Sequence, residues 1–146
     1  MKPYMPIAIT HDYETPKEYF NELNEEFNFT LDPCCTIENA KCDKFYTKDD
    51  DGLLQDWSND IVFMNPPFGT SIKFWIEKAY KESILGAIVV CLIPARTDTK
   101  YWHKYIFPYA EIRFMKGRLK YRRGDINNYA PFPIATVIFG KDNING

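Results

Sequence analysis

The sequence predicts an α/β fold, a compact and mostly parallel central sheet with helices on both faces. Three observations carry this reading. The apolar runs IVFM (61–64) and AIVVCLI (87–93) have the pattern of strands buried on both faces. Segments of helical periodicity lie between such runs, so strands and helices alternate along the chain. Each run also stops at a proline, Pro66 or Pro94, which has no N–H to continue a ladder.

The elements follow in order. A helix is expected over Thr15–Glu26, with Thr15 as N-cap, Pro16 in the first turn and Glu18 echoing a capping box. Tyr19, Phe20, Leu23 and Phe27 repeat at helical spacing and should face the core. Asn28–Asp32 reads as a short strand ended by Pro33, 37–42 as a brief helical turn, and Lys44–Thr47 as a second short strand. Asp49-Asp50-Asp51-Gly52 is turn chemistry. After the 61–64 strand, Thr70 or Ser71 can cap a helix reaching Ser83, with Ile72, Trp75, Ile76 and Ala79 inward. Gly86 ends that helix. Another should run from about Thr97 to Phe107, and strands are expected at Glu111–Met115 and Ile134–Phe139 with a polar loop over Gly124–Tyr129.

Composition sets the class. At 146 residues, with 45% hydrophobic content and a net charge of −2, the chain is sized for one domain (1–146) with a real core. No apolar run approaches the roughly 20 residues of a membrane span, and MKPYMPIAITHDYETP lacks a secretory layout. A cytoplasmic protein with no membrane partner is expected. Cys34, Cys35, Cys42 and Cys91 include no CxxC pair, and adjacent Cys34 and Cys35 have poor geometry for bridging each other. A zinc site from these thiols with His11 or His103 matches none of the usual ligand spacings, so reduced thiols near a core are expected and no metal. Basic residues concentrate at Arg113, Lys116, Arg118, Lys120, Arg122 and Arg123, interleaved with Phe114 and Tyr121. Such a stretch can steer a polyanion to one face, or can be a solvated edge.

In a mostly parallel sheet, ligands sit beyond the carboxyl ends of the strands at the topological switch point. Both informative loops, Asp32-Pro33-Cys34-Cys35 and Asn65-Pro66-Pro67-Phe68, follow predicted strands. Asn65 offers a side-chain carbonyl and Pro66 a backbone carbonyl, Pro66 and Pro67 fix the chain direction, and Phe68 supplies a flat face. Two acceptors converging on one aromatic amine would draw on both N–H bonds and make its nitrogen a better nucleophile. Transfer onto that nitrogen then needs mainly alignment, with no strong base beforehand. The prolines could also merely end a strand with Phe68 in the core. The whole tetrapeptide, after IVFM and before a capped helix, favours the slot.

Here the chain resembles the phage-type DNA adenine-N6 methyltransferase (Dam) family. The likeness runs through Thr15-Pro16, FNFTLDPCCTIENAKC, KDDDGLLQDW, FMNPPFG, IPARTDTKYWH, EIRFMKGRLKY and APFPIATVIFG. It implies a Rossmann-like S-adenosyl-L-methionine-dependent methyltransferase fold, methyl transfer to the adenine amino group in DNA, and catalytic residues Asn65, Pro66, Pro67 and Phe68. The base would be flipped out or met single-stranded. Cofactor contacts would come from Thr15, Pro16, Asp32, Pro33, Asn39 and Asn65, with Asp50 preferred among Asp49–Asp51 for the ribose and Asp56-Trp57 flanking the cofactor adenine. The family's Asp-Pro-x-x-Gly-x-Gly loop is altered, since Cys34, Cys35, Thr36 and Ile37 stand where glycines are expected.

Arg96 and the stretch Arg113, Lys116, Arg118, Lys120, Arg122 and Arg123 are the expected DNA contacts. For Arg96 and its neighbours a helix start is the competing reading, and for the basic stretch a protected sheet edge. No separate target-recognition domain is expected, and a monomer or homodimer would act. Methylation of RNA guanine or protein glutamine, or an inactive nucleotide-binding domain, are the competing functions.

Overall fold

In the computed structural model the described residues are 14–123 and 126–145. A six-stranded sheet has the spatial order β2-β1-β3-β4-β8-β5. Its strands are β1 (Leu31–Asp32), β2 (Lys44–Phe45), β3 (Ile61–Met64), β4 (Ile88–Pro94), β5 (Glu111–Phe114) and β8 (Ile134–Phe139). β2, β1, β3 and β4 pair in parallel, while β8 runs antiparallel to both β4 and β5. The chain therefore steps one way from β1 to β2 and the other way from β3 to β4. β1 and β3 flank the switch point.

The pleat divides the core. α1 (Lys17–Phe27) lays Phe20, Leu23 and Phe27 on Phe63, Ile88, Val90 and Ile138. α2 (Ile72–Ile84) lays Ile72, Trp75, Ile76 and Ala79 on the opposite set, Val62, Met64, Val89, Cys91 and Val137. Alternate residues of β3 and β4 thus feed two helix layers, which is why both strands read as continuous apolar runs. Every residue of β4 and β8 is buried.

Several local expectations change. Neither α1 nor α2 carries a side-chain capping bond, and Pro16, not Thr15, stands at the cap of α1. Thr15 is 3% exposed and spends its hydroxyl elsewhere. The helix expected over 97–107 begins at Lys100, winds as a π-helix over Trp102–Ile106 and ends in α3 (Phe107–Tyr109). Pro108 cannot supply a helical N–H, and the chain widens its turn before it. The polar loop expected over 124–129 is instead half of a hairpin, β6 (Lys120–Arg123) against β7 (Ile126–Tyr129). Residues 124 and 125, like His11, lie outside the described residues.

Arg113 is also placed differently. Its guanidinium binds both oxygens of Glu26 at 2.8 Å and Glu111 at 2.7 Å, tying β5 to α1. Those two carboxylates hold it charged well above its ordinary range. It is a structural tie, already neutralised twice, and a poor ligand for a phosphate. Arg113→Ala should cost about 1 kcal/mol or less, because the network is partly solvated. A urea midpoint checks it.

Candidate active site

A cavity of about 490 Å³ opens at the switch point, within the size range of small-ligand sites. One wall comes from the segment after β1. Asp32 is 3% exposed, and its carboxylate oxygens accept the N–H of Cys34 at 3.3 Å and of Lys41 at 3.0 Å. Burial pushes this carboxyl up to about 6, against the pull of those two N–H groups. Farther along, Asn39 and Thr36 close a reciprocal pair, Thr36 N–H to Asn39 Oδ1 at 2.7 Å and Asn39 N–H to Thr36 Oγ1 at 3.2 Å. Side-chain hydrogen bonds thus shape the segment where glycines were expected.

The loop after β2 forms the floor. Asp51 adopts a left-handed φ of 55° and leads into the 3-10 turn Gly52–Leu54. At Gly52 an added Cβ would lie 2.2 Å from the Pro33 carbonyl oxygen, so only glycine lets these two loops meet. Trp75 of α2 completes the apolar side, with Trp57 stacked behind it at 6.2 Å.

The third wall follows β3. Asn65 donates its Nδ2–H to Thr15 Oγ1 at 3.0 Å, which fixes the orientation of the amide. Asn65 and Pro67 line the cavity, whereas Phe68 and Gly69 line a second, larger groove of about 1080 Å³. The tetrapeptide is therefore a partition between two spaces. Arg96 braces it, donating from Nη1 to the Phe68 carbonyl at 3.2 Å with its guanidinium 5.2 Å from the Phe132 ring. Phe68 meets Phe132 edge-on at 5.7 Å.

Of the residues singled out in the sequence, Thr15, Asp32, Asn39, Asn65 and Pro67 share the cavity, and Phe68 and Arg96 the groove. Pro16, Pro33, Pro66, Asp50 and Asp56 are not among the residues lining the cavity. Pro33 and Pro66 are buried beside it. Asp50 turns back to accept the Thr47 N–H at 2.8 Å, Asp56 accepts the Ser58 N–H at 2.8 Å, and Trp57 is wholly buried.

Lys116 and Arg118 are exposed, with Arg118 reaching the Ala130 carbonyl, and Lys120 lies over Tyr129. The side chains of Arg122 and Arg123 lie outside the described residues. Glu14, Lys41 and Trp75 line the cavity without having been singled out for it. Asp51, one of the three acidic candidates for the ribose, lines it where the preferred Asp50 does not.

The thiols are all free. Burial, reinforced by the nearby Asp32 carboxylate, pushes Cys35 and Cys42 up to about 12 and Cys34 well above the ordinary thiol range.

Sheet, switch-point cavity and proline partition together define a mixed α/β domain with a cavity at the carboxyl ends of its parallel strands. The chain belongs to the DNA N-6-adenine-methyltransferase (Dam) family, whose model matches residues 5–133. It is 28% identical over 116 residues to the DNA N-6-adenine-methyltransferase of Escherichia phage T1, a match covering 78% of this chain and 48% of that protein. It is 36% identical over 67 residues to the putative methyltransferase YfdM of Escherichia coli (strain K12), covering 41% of this chain and 74% of that protein. The chain thus spans about half the length of the phage relative. A methyltransferase family implies a methyl donor, and no helix among the described residues is long and apolar enough to cross a membrane.

Proposed function

We propose that the chain is a single Rossmann-like domain that transfers a methyl group from S-adenosyl-L-methionine to the N6 amino group of adenine in DNA. The observation that carries this reading is the partition, with Asn65 facing one space and Phe68 the other at the mouth of β3. The cavity suits the donor in size and chemistry. The carboxylates of Glu14, Asp32 and Asp51 suit its cationic groups, and Trp75 suits its adenine. When bound, the cofactor supplies an electrophilic methyl on sulfur.

The protein's own work is alignment. Thr15 holds the Asn65 amide by its nitrogen, and the side-chain carbonyl, enclosed in the ligand-free protein, is the acceptor proposed for the target amino group. The Pro66 carbonyl is the proposed second acceptor. Phe68, the proposed stacking face, is 4% exposed and packed in the core against Phe132, so a base reaches it only once the partition shifts. Acceptors on both N–H bonds raise electron density at nitrogen as the new bond to carbon forms. The amino group becomes acidic only after it carries positive charge, so water can take the proton. This suits a slot whose polar groups are an amide and a carbonyl. Incubation with labelled cofactor and DNA, RNA or protein tests the assignment. Label is expected in DNA adenine, and label only in RNA or protein defeats it.

Asp32 makes cofactor affinity pH-dependent. Its folded value of about 6 exceeds that of an unfolded carboxyl, so the ligand-free protein takes up a proton as pH falls through about 6. The same shift means its effect on folding turns against the native state as pH rises through that window. A cationic ligand favours the carboxylate and must displace that proton. Affinity should therefore fall about tenfold between pH 7 and pH 5, and Asp32→Asn should flatten the profile. A flat wild-type titration would remove Asp32 from the binding set.

A further inference from the structure

The groove on the far side of the partition shares no lining residue with the cavity, and its chemistry is distinctive. It lies between the first turn of α2 and the helical segment that begins at Lys100. Lys73, Lys100 and Lys104 line it together with Arg96, in a chain whose net charge is −2. Its acidic members are Glu77 and Asp98. Glu77 is already answered by the Tyr105 hydroxyl at 2.8 Å and Lys81 at 3.4 Å. Among the described residues, Lys73, Lys100 and Lys104 enter no ion pair.

Phe74 adds the second feature. It points away from the inward set of α2 and is 53% exposed, with the Lys73 ammonium 5.3 Å from its ring centre. About half of this ring is open to solvent, and it sits with a cation in a basic groove that ends at Phe68. Cations spaced along a groove with an open aromatic face are what an unpaired nucleic-acid strand requires. Paired bases present no free face to such a ring.

We propose that this groove carries the unpaired DNA strand on one side of the target adenine. Lys73, Lys100 and Lys104 neutralise phosphates there, and a flanking base stacks on Phe74. This rests on the adenine-methylation reading above and adds a path for the substrate. Charge complementarity selects a polyanion, and Phe74 selects single-stranded over duplex DNA.

The test uses the full chain and a fluorescent single-stranded oligodeoxynucleotide containing adenine, read by anisotropy across a salt series. Phe74→Ala should weaken binding about tenfold. The triple variant Lys73→Gln, Lys100→Gln, Lys104→Gln should flatten the slope of log affinity against log salt by about 2, at roughly 0.7 per phosphate contact on a single strand. Both variants should keep wild-type cofactor affinity, which shows that the fold is intact. Unchanged affinity and slope in both variants, with wild-type protein still methylating DNA, overturns the groove alone. Wild-type protein that modifies RNA or protein and not DNA overturns the groove and the adenine reading together.

Discussion

Replacing Asn65 with alanine is expected to lower the rate of methyl transfer by about 10²–10³-fold, the usual cost of deleting one preorganised polar contact at a reacting centre. The loss should fall on kcat, because the amide interacts most strongly when the target nitrogen is gaining positive charge. Cofactor affinity should change only a few-fold, since the rest of the cavity wall is untouched. Asn65 is half-buried and its Nδ2 bonds Thr15, so some loss of stability accompanies the change. A denaturation curve separates that loss from the kinetic one. Label still entering DNA adenine at the wild-type rate would show that the slot does not work through this amide.

The second large effect is expected at Gly52. An alanine Cβ there would meet the Pro33 carbonyl oxygen at 2.2 Å, an obstacle made of backbone that cannot rotate aside. Either the loop after β1 or the one after β2 must shift, at a cost of about 3 kcal/mol. Because Gly52 and Asp51 both line the cavity, the shift also deforms the floor, and cofactor affinity should drop at least about tenfold. The urea midpoint should fall with an unchanged slope. Wild-type stability together with wild-type affinity would mean that the loops close without glycine.

The fold was legible where burial alone decides. IVFM and AIVVCLI are apolar without alternation because helices cover both faces of β3 and β4. Helix existence followed from periodicity, whereas the caps did not. Thr15 has the residue type of an N-cap, but a partner fifty positions away outbids the local N–H groups, and nothing near it in sequence reveals Asn65. The hairpin of β6 and β7 hid behind the polar runs KYRR and INNY, which carry no apolar alternation to mark a strand. Arg113 shows the limit of reading charge by proximity. It lies in a basic stretch, but its partners Glu26 and Glu111 come from α1 and its own strand.

For the candidate site, loops after parallel strands were sufficient to locate the cavity. Which acidic residue reaches it depends on one left-handed turn at Asp51 that separates it from Asp50.

Cys34, Cys35 and Cys42 lie on or near the cavity wall, and burial beside Asp32 keeps their protons on. Only the thiolate is a competent nucleophile. If the cavity holds the proposed methyl donor, sulfur atoms in its wall would thereby be kept from competing for the one-carbon group, and soft, polarizable side chains would line the enclosure without being alkylated.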